Sequence, residues 1–209
     1  MSTRPDSRQI LRSEVQNSLS NIMQVESQLN WLSSTISYID SMTTILPPRF
    51  EGLRRGGYVH RVNVEKKMEK LVENWNLIRL TTVPEIESLS GQLKGEISRL
   101  KDEGNVLLNR LGQQFSPEFV LGGEVSVFSS KVNSFVSRAN GQIIQARKGL
   151  MEIRRDFEEI EKVVGDAENV LKAVASASFN LLENEHPLLC VSVKKLEPGE
   201  KRDGRVIVT

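Results

Sequence analysis

A seven-residue spacing of apolar side chains runs through most of this chain, and it is most regular between residues 143 and 181. Eleven of twelve positions that alternate in steps of three and four residues are apolar there. An average step of 3.5 residues keeps one stripe of a helix facing a neighbouring helix, whereas side chains of a strand alternate every second residue. The pattern therefore predicts a long helix with partner helices along its length. It comprises Ile143, Ala146, Leu150, Ile153, Phe157, Ile160, Val164, Ala167, Leu171, Val174, Ser178 and Leu181.

Similar spacing occurs in two earlier segments, so we predict three helices over about 6–46, 63–112 and 124–184. The linkers 47–62 and 112–123 contain glycine and proline, which favour turns. Both are short enough to return the chain alongside itself. The predicted fold is mainly α, an elongated antiparallel bundle or coiled coil of three long helical segments.

The ends of these helices are predicted from capping residues and prolines. Asp6 or Ser7 can cap the first helix, and Pro47 with Pro48 should end it because proline lacks a backbone N–H donor. Pro84 lies inside the second pattern, whose apolar phase continues on both sides. We therefore predict that the second segment is one helix kinked near Pro84, with two helices end to end as the alternative.

Six glycines lie inside the predicted helical segments, where each costs about 1 kcal/mol relative to alanine. Two interpretations are open: they allow close approach or bending of helices, or they are simply tolerated. They are Gly91, Gly95, Gly104, Gly141, Gly149 and Gly165.

The last part of the chain changes to a two-residue period with turn sequences, which predicts a β-hairpin over residues 189–209. Residues 57–64 have alternating character and are a candidate third strand. The predicted organisation is a helical bundle over 1–188 and a hairpin over 189–209 that packs near the loop 47–62. This small β element would form a head at one end of the rod.

A local positive charge marks that head, although the whole chain carries only +1. Residues 49–67 contain six basic and two acidic side chains. Such a cluster can bind phosphate, anionic lipid or an acidic protein, and the alternative is a solvated loop whose arginines pair with nearby carboxylates. The candidate partner-binding residues are Arg49, Arg54, Arg55, Tyr58, His60 and Arg61.

The residues that catalysis or metal binding needs are not grouped in the sequence. Carboxylates alternate with basic residues on helical flanks, as on solvated coiled-coil faces. His186 and Cys190 lie four residues apart, but Pro187 separates them and two ligands do not make a zinc site. We therefore expect no enzyme, no metal and no cofactor. Whether Cys190 is reactive stays open.

Composition indicates where such a protein would work. The single cysteine excludes an internal disulfide and favours a reducing compartment. The start, MSTRPDSRQ, lacks the apolar stretch of a secretory signal, and no window has the about 20 apolar residues of a membrane span. We expect a cytoplasmic, soluble protein.

These features favour a non-enzymatic structural or adaptor protein that self-associates through coiled-coil seams, preferably as a dimer, and presents a basic head to a protein partner. The alternative is a peripheral membrane-binding or remodelling module that lays an elongated helical dimer on anionic lipid. A third interpretation, nucleic-acid binding through the head, is favoured less because the segment has too few aromatic side chains to stack on bases.

Overall fold

Three long α-helices form the described part of the chain in this computed structural model. The structure describes residues 6–56, 62–113 and 118–185, without the side chains of 62, 63, 118 and 179–185. Helix α1 spans Ser7–Arg55, α2 spans Val62–Leu111 and α3 spans Glu118–Glu185. Each helix packs against the other two, so the predicted helical bundle is confirmed.

Helices α1 and α3 run in the same direction. Near their starts the hydroxyls of Ser18 and Ser129 lie 3.3 Å apart. Near the end of α1, Arg49 binds Glu168 of α3. Because early residues of α1 contact early residues of α3, and late residues contact late ones, the two helices are parallel.

Helix α2 runs antiparallel to α1. The ammonium group of Lys101, late in α2, lies 2.6 Å from a carboxylate oxygen of Glu26. Earlier in α2, the indole N–H of Trp75 donates to Asp40, which is later in α1. The chain therefore passes up, down and up again, as the short linkers predict.

The apolar seams of all three helices face a shared interior, as the seven-residue spacing predicts. A fully buried large apolar side chain contributes roughly 1.5–3 kcal/mol relative to its exposed state, so a long continuous seam holds the helices together. The buried seam of α3 contains Val125, Phe128, Val132, Phe135, Ala139, Ile143, Leu150, Phe157, Ile160, Val164 and Ala167. The facing seam of α1 contains Val15, Ile22, Val25, Leu29, Leu32, Ile36, Ile39 and Leu46.

Helix α1 does not end at Pro47 and Pro48, and that prediction is wrong. The helix continues through both prolines to Arg55. Phe50 and Leu53 beyond them are buried in the core. Their burial offsets the loss of two backbone hydrogen bonds, because continuing the helix keeps the same apolar stripe on the bundle.

Helix α2 likewise continues through Pro84 as a single element, which excludes the two-helix alternative. The preceding residue, Val83, is fully buried and anchors the helix at this point. Helix α3 begins at Glu118, six residues before its predicted start at 124. Leu121 is fully buried and extends the seam backwards, which explains the earlier start despite the glycine pair that follows it.

The candidate third strand at 57–64 is wrong for its last three residues. Residues 62–64 form the first turn of α2, and Val64 packs against the core together with Met68 at helical spacing. Residues 57–61 and the predicted hairpin 189–209 lie outside the described residues. Within 6–56, 62–113 and 118–185 the structure contains no strand.

Helix α3 extends past the end of α1. A methyl group built on Gly56 would lie 3.1 Å from Leu171 Cδ1, which places the end of α1 beside that residue. The 14 further residues of α3, through Glu185, add about 20 Å of helix at 1.5 Å per residue. The side chains of 172–178 are exposed, including Val174. At its other end, the bundle finishes near Leu111 and Leu121.

None of the described helices contains a segment long and apolar enough to cross a membrane.

Candidate functional site

Arg49, the first of the predicted partner-binding residues, forms a contact within the bundle. Its guanidinium donates two hydrogen bonds to Glu168, from Nε to Oε1 at 2.8 Å and from Nη2 to Oε2 at 2.9 Å. These bonds raise the pKa of Arg49 and lower the pKa of Glu168 from their ordinary values. A second carboxylate, that of Glu161, lies 4.0 Å away. Arg49 therefore ties α1 to α3 near the end of α1.

Arg54 and Arg55 share one carboxylate at the end of α1. Both guanidinium groups contact Glu51, which lies one helical turn earlier. Their side chains are nevertheless 65% and 79% exposed, so solvent screens these pairs and they add little stability. Two arginines on one carboxylate leave a net positive charge at this tip of the bundle.

The remaining predicted residues, Tyr58, His60 and Arg61, lie outside the described part of the chain, as do His186 and Cys190. Farther along, Lys67 of the same basic segment pairs with Glu159 of α3 at 3.2 Å. Among the described residues, no group of three or more His, Cys, Asp and Glu side chains is arranged to hold a metal ion.

A polar cluster between the helices was not predicted. The hydroxyl of Tyr38 donates to Glu161 at 3.0 Å, and the guanidinium of Arg154 lies 5.2 Å from the centre of the tyrosine ring. Burial, the hydrogen bond to Glu161 and the charges of nearby carboxylates raise the pKa of Tyr38 to about 12. The phenol therefore stays neutral at physiological pH and acts as a hydrogen-bond donor.

A separate polar contact, that of Asp40, links α1 to α2. It accepts a hydrogen bond from Trp75 Nε1 at 2.9 Å and pairs with Arg79 Nε at 3.0 Å. A carboxylate held by two donors from another helix is a structural tie. These partly exposed polar contacts thus position helices.

Three ion pairs join α2 to α3 at seven-residue intervals. Arg138 binds Glu96, Lys131 lies 2.7 Å from Glu103, and Arg110 lies 2.6 Å from Glu124. Equal spacing on both helices is the arrangement of flanking residues in an antiparallel coiled coil. These pairs line shallow grooves between α2 and α3.

Apolar side chains are exposed where α2 ends and α3 begins. Val106, Phe119, Val120 and Val127 border one groove there, and the side chain of Phe119 is 95% exposed. Exposed large apolar side chains that lie together favour contact with another macromolecule.

The outward side of α3 carries an exposed stripe with little charge, in which large apolar side chains lie at the two ends and serines and glycines between them; we call it the outer seam. Every one of its residues is exposed, whereas the buried seam lies on the opposite side of the helix. The sequence signal for this stripe is its low charge, because only one of its ten residues is charged. The outer seam contains Val120, Gly123, Val127, Ser130, Ser134, Ser137, Gly141, Ile144, Lys148 and Met151.

Comparisons with protein-family models, with curated proteins and with solved structures found no match to this chain.

Proposed function

We propose that this chain is a non-enzymatic structural or adaptor protein that acts through contacts between helices, self-associates, and presents a positively charged tip to a protein partner. The observation that carries the proposal is the distribution of large exposed apolar side chains. Of the fourteen in the described residues, eight lie on α3. They are Phe119, Val120, Val127, Ile144, Met151, Val163, Val170 and Val174.

Their position favours assembly because the chain has already used its buried seams internally. Most residues of the predicted coiled-coil seams pack within the three-helix bundle as far as Leu171, so self-association along the bundle requires other faces. Helix α3 offers such faces along most of its length, and beyond Leu171 it lacks α1 as a neighbour. Covering exposed apolar area by another helix lowers the free energy by about 25 cal/mol per Å².

A structural role is also supported by the way charged side chains are used. Asp40, Glu161 and Glu168 each accept a bond from another helix. Groups committed to such ties stabilise an arrangement of helices. Arg49 forms such a tie as well, so we assign the partner-binding role at the tip to Arg54 and Arg55, which are more exposed. Tyr58, His60 and Arg61, outside the described residues, stay predicted contacts of the same partner.

Small-angle scattering with absolute mass tests the elongated, self-associating form. Helix α3 has 68 residues and should give a maximum dimension of at least about 100 Å. We expect a mass of at least twice 23.5 kDa. A compact monomer with a radius of gyration of about 17 Å, as a globular chain of 209 residues would have, contradicts the proposal.

Membrane binding through the same tip is the second candidate, because the two arginines remain exposed. Vesicles of phosphatidylcholine, with and without phosphatidylserine, distinguish it. Binding that requires phosphatidylserine and disappears in the Arg54→Glu, Arg55→Glu double variant would favour the membrane function. Absence of vesicle binding by the unmodified chain would leave the protein partner as the ligand of the tip.

A further inference from the structure

The outer seam of α3 is unusual because charged residues hardly occur beside it between Phe119 and Ala146; Arg147, Lys148 and Glu152 follow at its end. Between Phe119 and Ala146 the sequence contains only three charged residues. Those residues are Glu124, Lys131 and Arg138, and each is paired with a residue of α2. Exposed helix faces normally carry many charged side chains. This face instead exposes valine, isoleucine, methionine, serine and glycine, and its charged flank is already neutralised by α2.

The seam has definite ends. The next outward positions after Met151 are Arg155, Glu158 and Lys162, all of them charged.

The part of the seam beside α2 includes Val127, Ser130 and Ser134 in a groove with Leu100. The part beside α1 includes Lys148 and Met151 in a groove with Trp31 and Arg147. The seam therefore crosses the back of α3 from one neighbouring helix to the other, over residues 120–151.

We propose that a second copy of this chain covers the outer seam, so that two α3 helices pack antiparallel with a two-fold axis between Ser134 and Ser137. This inference rests on the proposed self-association and names the surface and the geometry that produce it.

The order of residue sizes along the seam is self-complementary when two copies are antiparallel. Pairing Ser134 with Ser137 of the second copy also pairs Val127 with Ile144 and Val120 with Met151. Large apolar side chains thus meet large ones at both ends, and hydroxymethyl groups meet at the centre. A two-fold contact requires such matching, because each patch must fit itself.

The small residues at the centre allow the two helices to approach closely. Ser130 pairs with Gly141 in this register, and Ser134 with Ser137. Helix axes about 8 Å apart, the lower end of the usual range, need small side chains at the contact. A methyl group added to Gly141 would meet no atom within 4 Å in the single chain, so this space is open for a partner.

The one charged residue in the seam favours antiparallel over parallel packing. In the antiparallel register Lys148 lies opposite Gly123, which has no side chain and leaves room for the lysine to reach solvent. A parallel pair in equal register would instead place the two Lys148 side chains against each other, and like charges repel. The sequence of the seam therefore selects the direction.

The size of the contact is adequate for a modest dimer. The seam spans 32 residues, or about 48 Å of helix, and a helix is about 10 Å wide. If the two seams stay in contact over this whole length, the footprint is roughly 480 Å² per copy and about 960 Å² in total, which is in the range of weak, transient interfaces. We expect a reversible dimer whose dissociation is measurable by dilution.

Sedimentation equilibrium of the full chain, up to about 100 µM, tests the interface. The unmodified protein should approach twice 23.5 kDa. Ser134→Glu should weaken the dimer at least tenfold, because two carboxylates would meet at the centre. Ser98→Glu, an exposed serine on α2, is the matched control and should leave the mass unchanged. Circular dichroism of both variants should show the helical signal of the unmodified chain, which checks that they fold.

Disulfide trapping tests the direction and the register in a Cys190→Ser background. A mixture of one chain carrying Val127→Cys and another carrying Ile144→Cys should form a cross-linked dimer under mild oxidation. Neither variant alone should do so, because identical positions are then separated by 17 residues, about 26 Å, and a disulfide needs Cα atoms within about 7 Å. Cross-linking of each variant alone but not of the mixture would overturn the antiparallel register.

The outcomes separate this inference from the proposed function. If the unmodified chain is a monomer throughout, the proposed self-association fails and the α3 interface fails with it. If the chain is a dimer that Ser134→Glu does not weaken, self-association stands but the interface is elsewhere. The proposed antiparallel dimer also has a distinct length. Each α3 reaches about 75 Å from the two-fold axis, so small-angle scattering should give a maximum dimension of about 150 Å.

Discussion

Gly104 is the position where the structure makes the sharpest prediction about packing. Among the helical glycines, Gly91, Gly95, Gly141 and Gly149 would place a new methyl group in open space. At Gly104 the same group would lie 2.7 Å from Leu19 Cδ2 and 2.9 Å from Phe128 Cζ. These distances are shorter than any carbon–carbon contact that side chains adopt without moving.

The effect of Gly104→Ala combines two opposing terms. Alanine is preferred over glycine in a helix by about 1 kcal/mol. Overpacking a core costs about 1–3 kcal/mol. Leu19 is half-buried and can move, whereas Phe128 is fully buried and cannot move without displacing the core. We therefore expect a net loss of stability of up to about 2 kcal/mol.

Gly95→Ala on the same helix isolates the packing term. It should gain up to about 1 kcal/mol, because its methyl group meets nothing. Helix propensity cancels when the two variants are compared, so their difference, about 1–3 kcal/mol, measures the cost of crowding Leu19 and Phe128.

Urea unfolding followed by helical circular dichroism, at one fixed protein concentration, provides the measurement. In thermal unfolding of the same variants, a change of 1 kcal/mol corresponds to a shift of about 2–4 °C in the midpoint temperature for a chain of this size. Gly104→Ala should cost less stability in a Leu19→Ala background than in the unmodified chain, because the shorter side chain removes part of the crowding and the two sites are therefore coupled. Stabilisation of Gly104→Ala equal to that of Gly95→Ala would refute the close approach of the helices at this point.

Two further predictions concern ionisable contacts. In a Tyr58→Phe variant, Tyr38 is the only tyrosine and its absorbance should titrate near pH 12. Because the pKa of Tyr38 in the folded protein exceeds the ordinary value of 10.0, the contribution of Tyr38 to stability is complete below pH 10 and is lost between about pH 10 and 12. Titration of Tyr38 near pH 10 in the still-folded protein would contradict the hydrogen bond to Glu161. A double-mutant cycle of Arg49→Met and Glu168→Gln should give a coupling of about 1–2 kcal/mol at pH 7, because the contact is bidentate and partly buried. Since Arg49 lowers the pKa of Glu168, the coupling energy between the two residues is present above the ordinary carboxyl pKa of 4.5 and falls as pH is lowered below it. Equal coupling energies at pH 7 and pH 3 would disprove the ion pair between Arg49 and Glu168.

Much of the architecture followed from local patterns. The steps of three and four residues predicted three long helices and most of the buried seam, because the orientation of a side chain on a helix depends only on its position along it. Asp6 caps α1 as expected, accepting a hydrogen bond from the backbone N–H of Arg8. Short linkers predicted that successive helices lie side by side.

The candidate site was less accessible to such patterns. Arg49 was grouped with the basic tip because it is near Arg54 and Arg55 in sequence, but its partner Glu168 is 119 residues away. The outer seam of α3 was not predicted because only four of its ten residues are apolar, too few to give an apolar period. Periodicity shows that a stripe is apolar, but it does not show which stripe the bundle covers.

The sequence by itself determined the helical class, the number of helices and the residues of the core seams, since these depend on spacing and on propensities of a few neighbouring residues. Only the tertiary structure decided whether α1 continues through Pro47 and Pro48, because the burial of Phe50 and Leu53 against other helices offsets a local penalty. It likewise decided that Gly104 serves close packing and that Arg49 ties two helices together. These outcomes depend on distances between residues far apart in the chain, which the free energy of packing sets and local sequence does not contain.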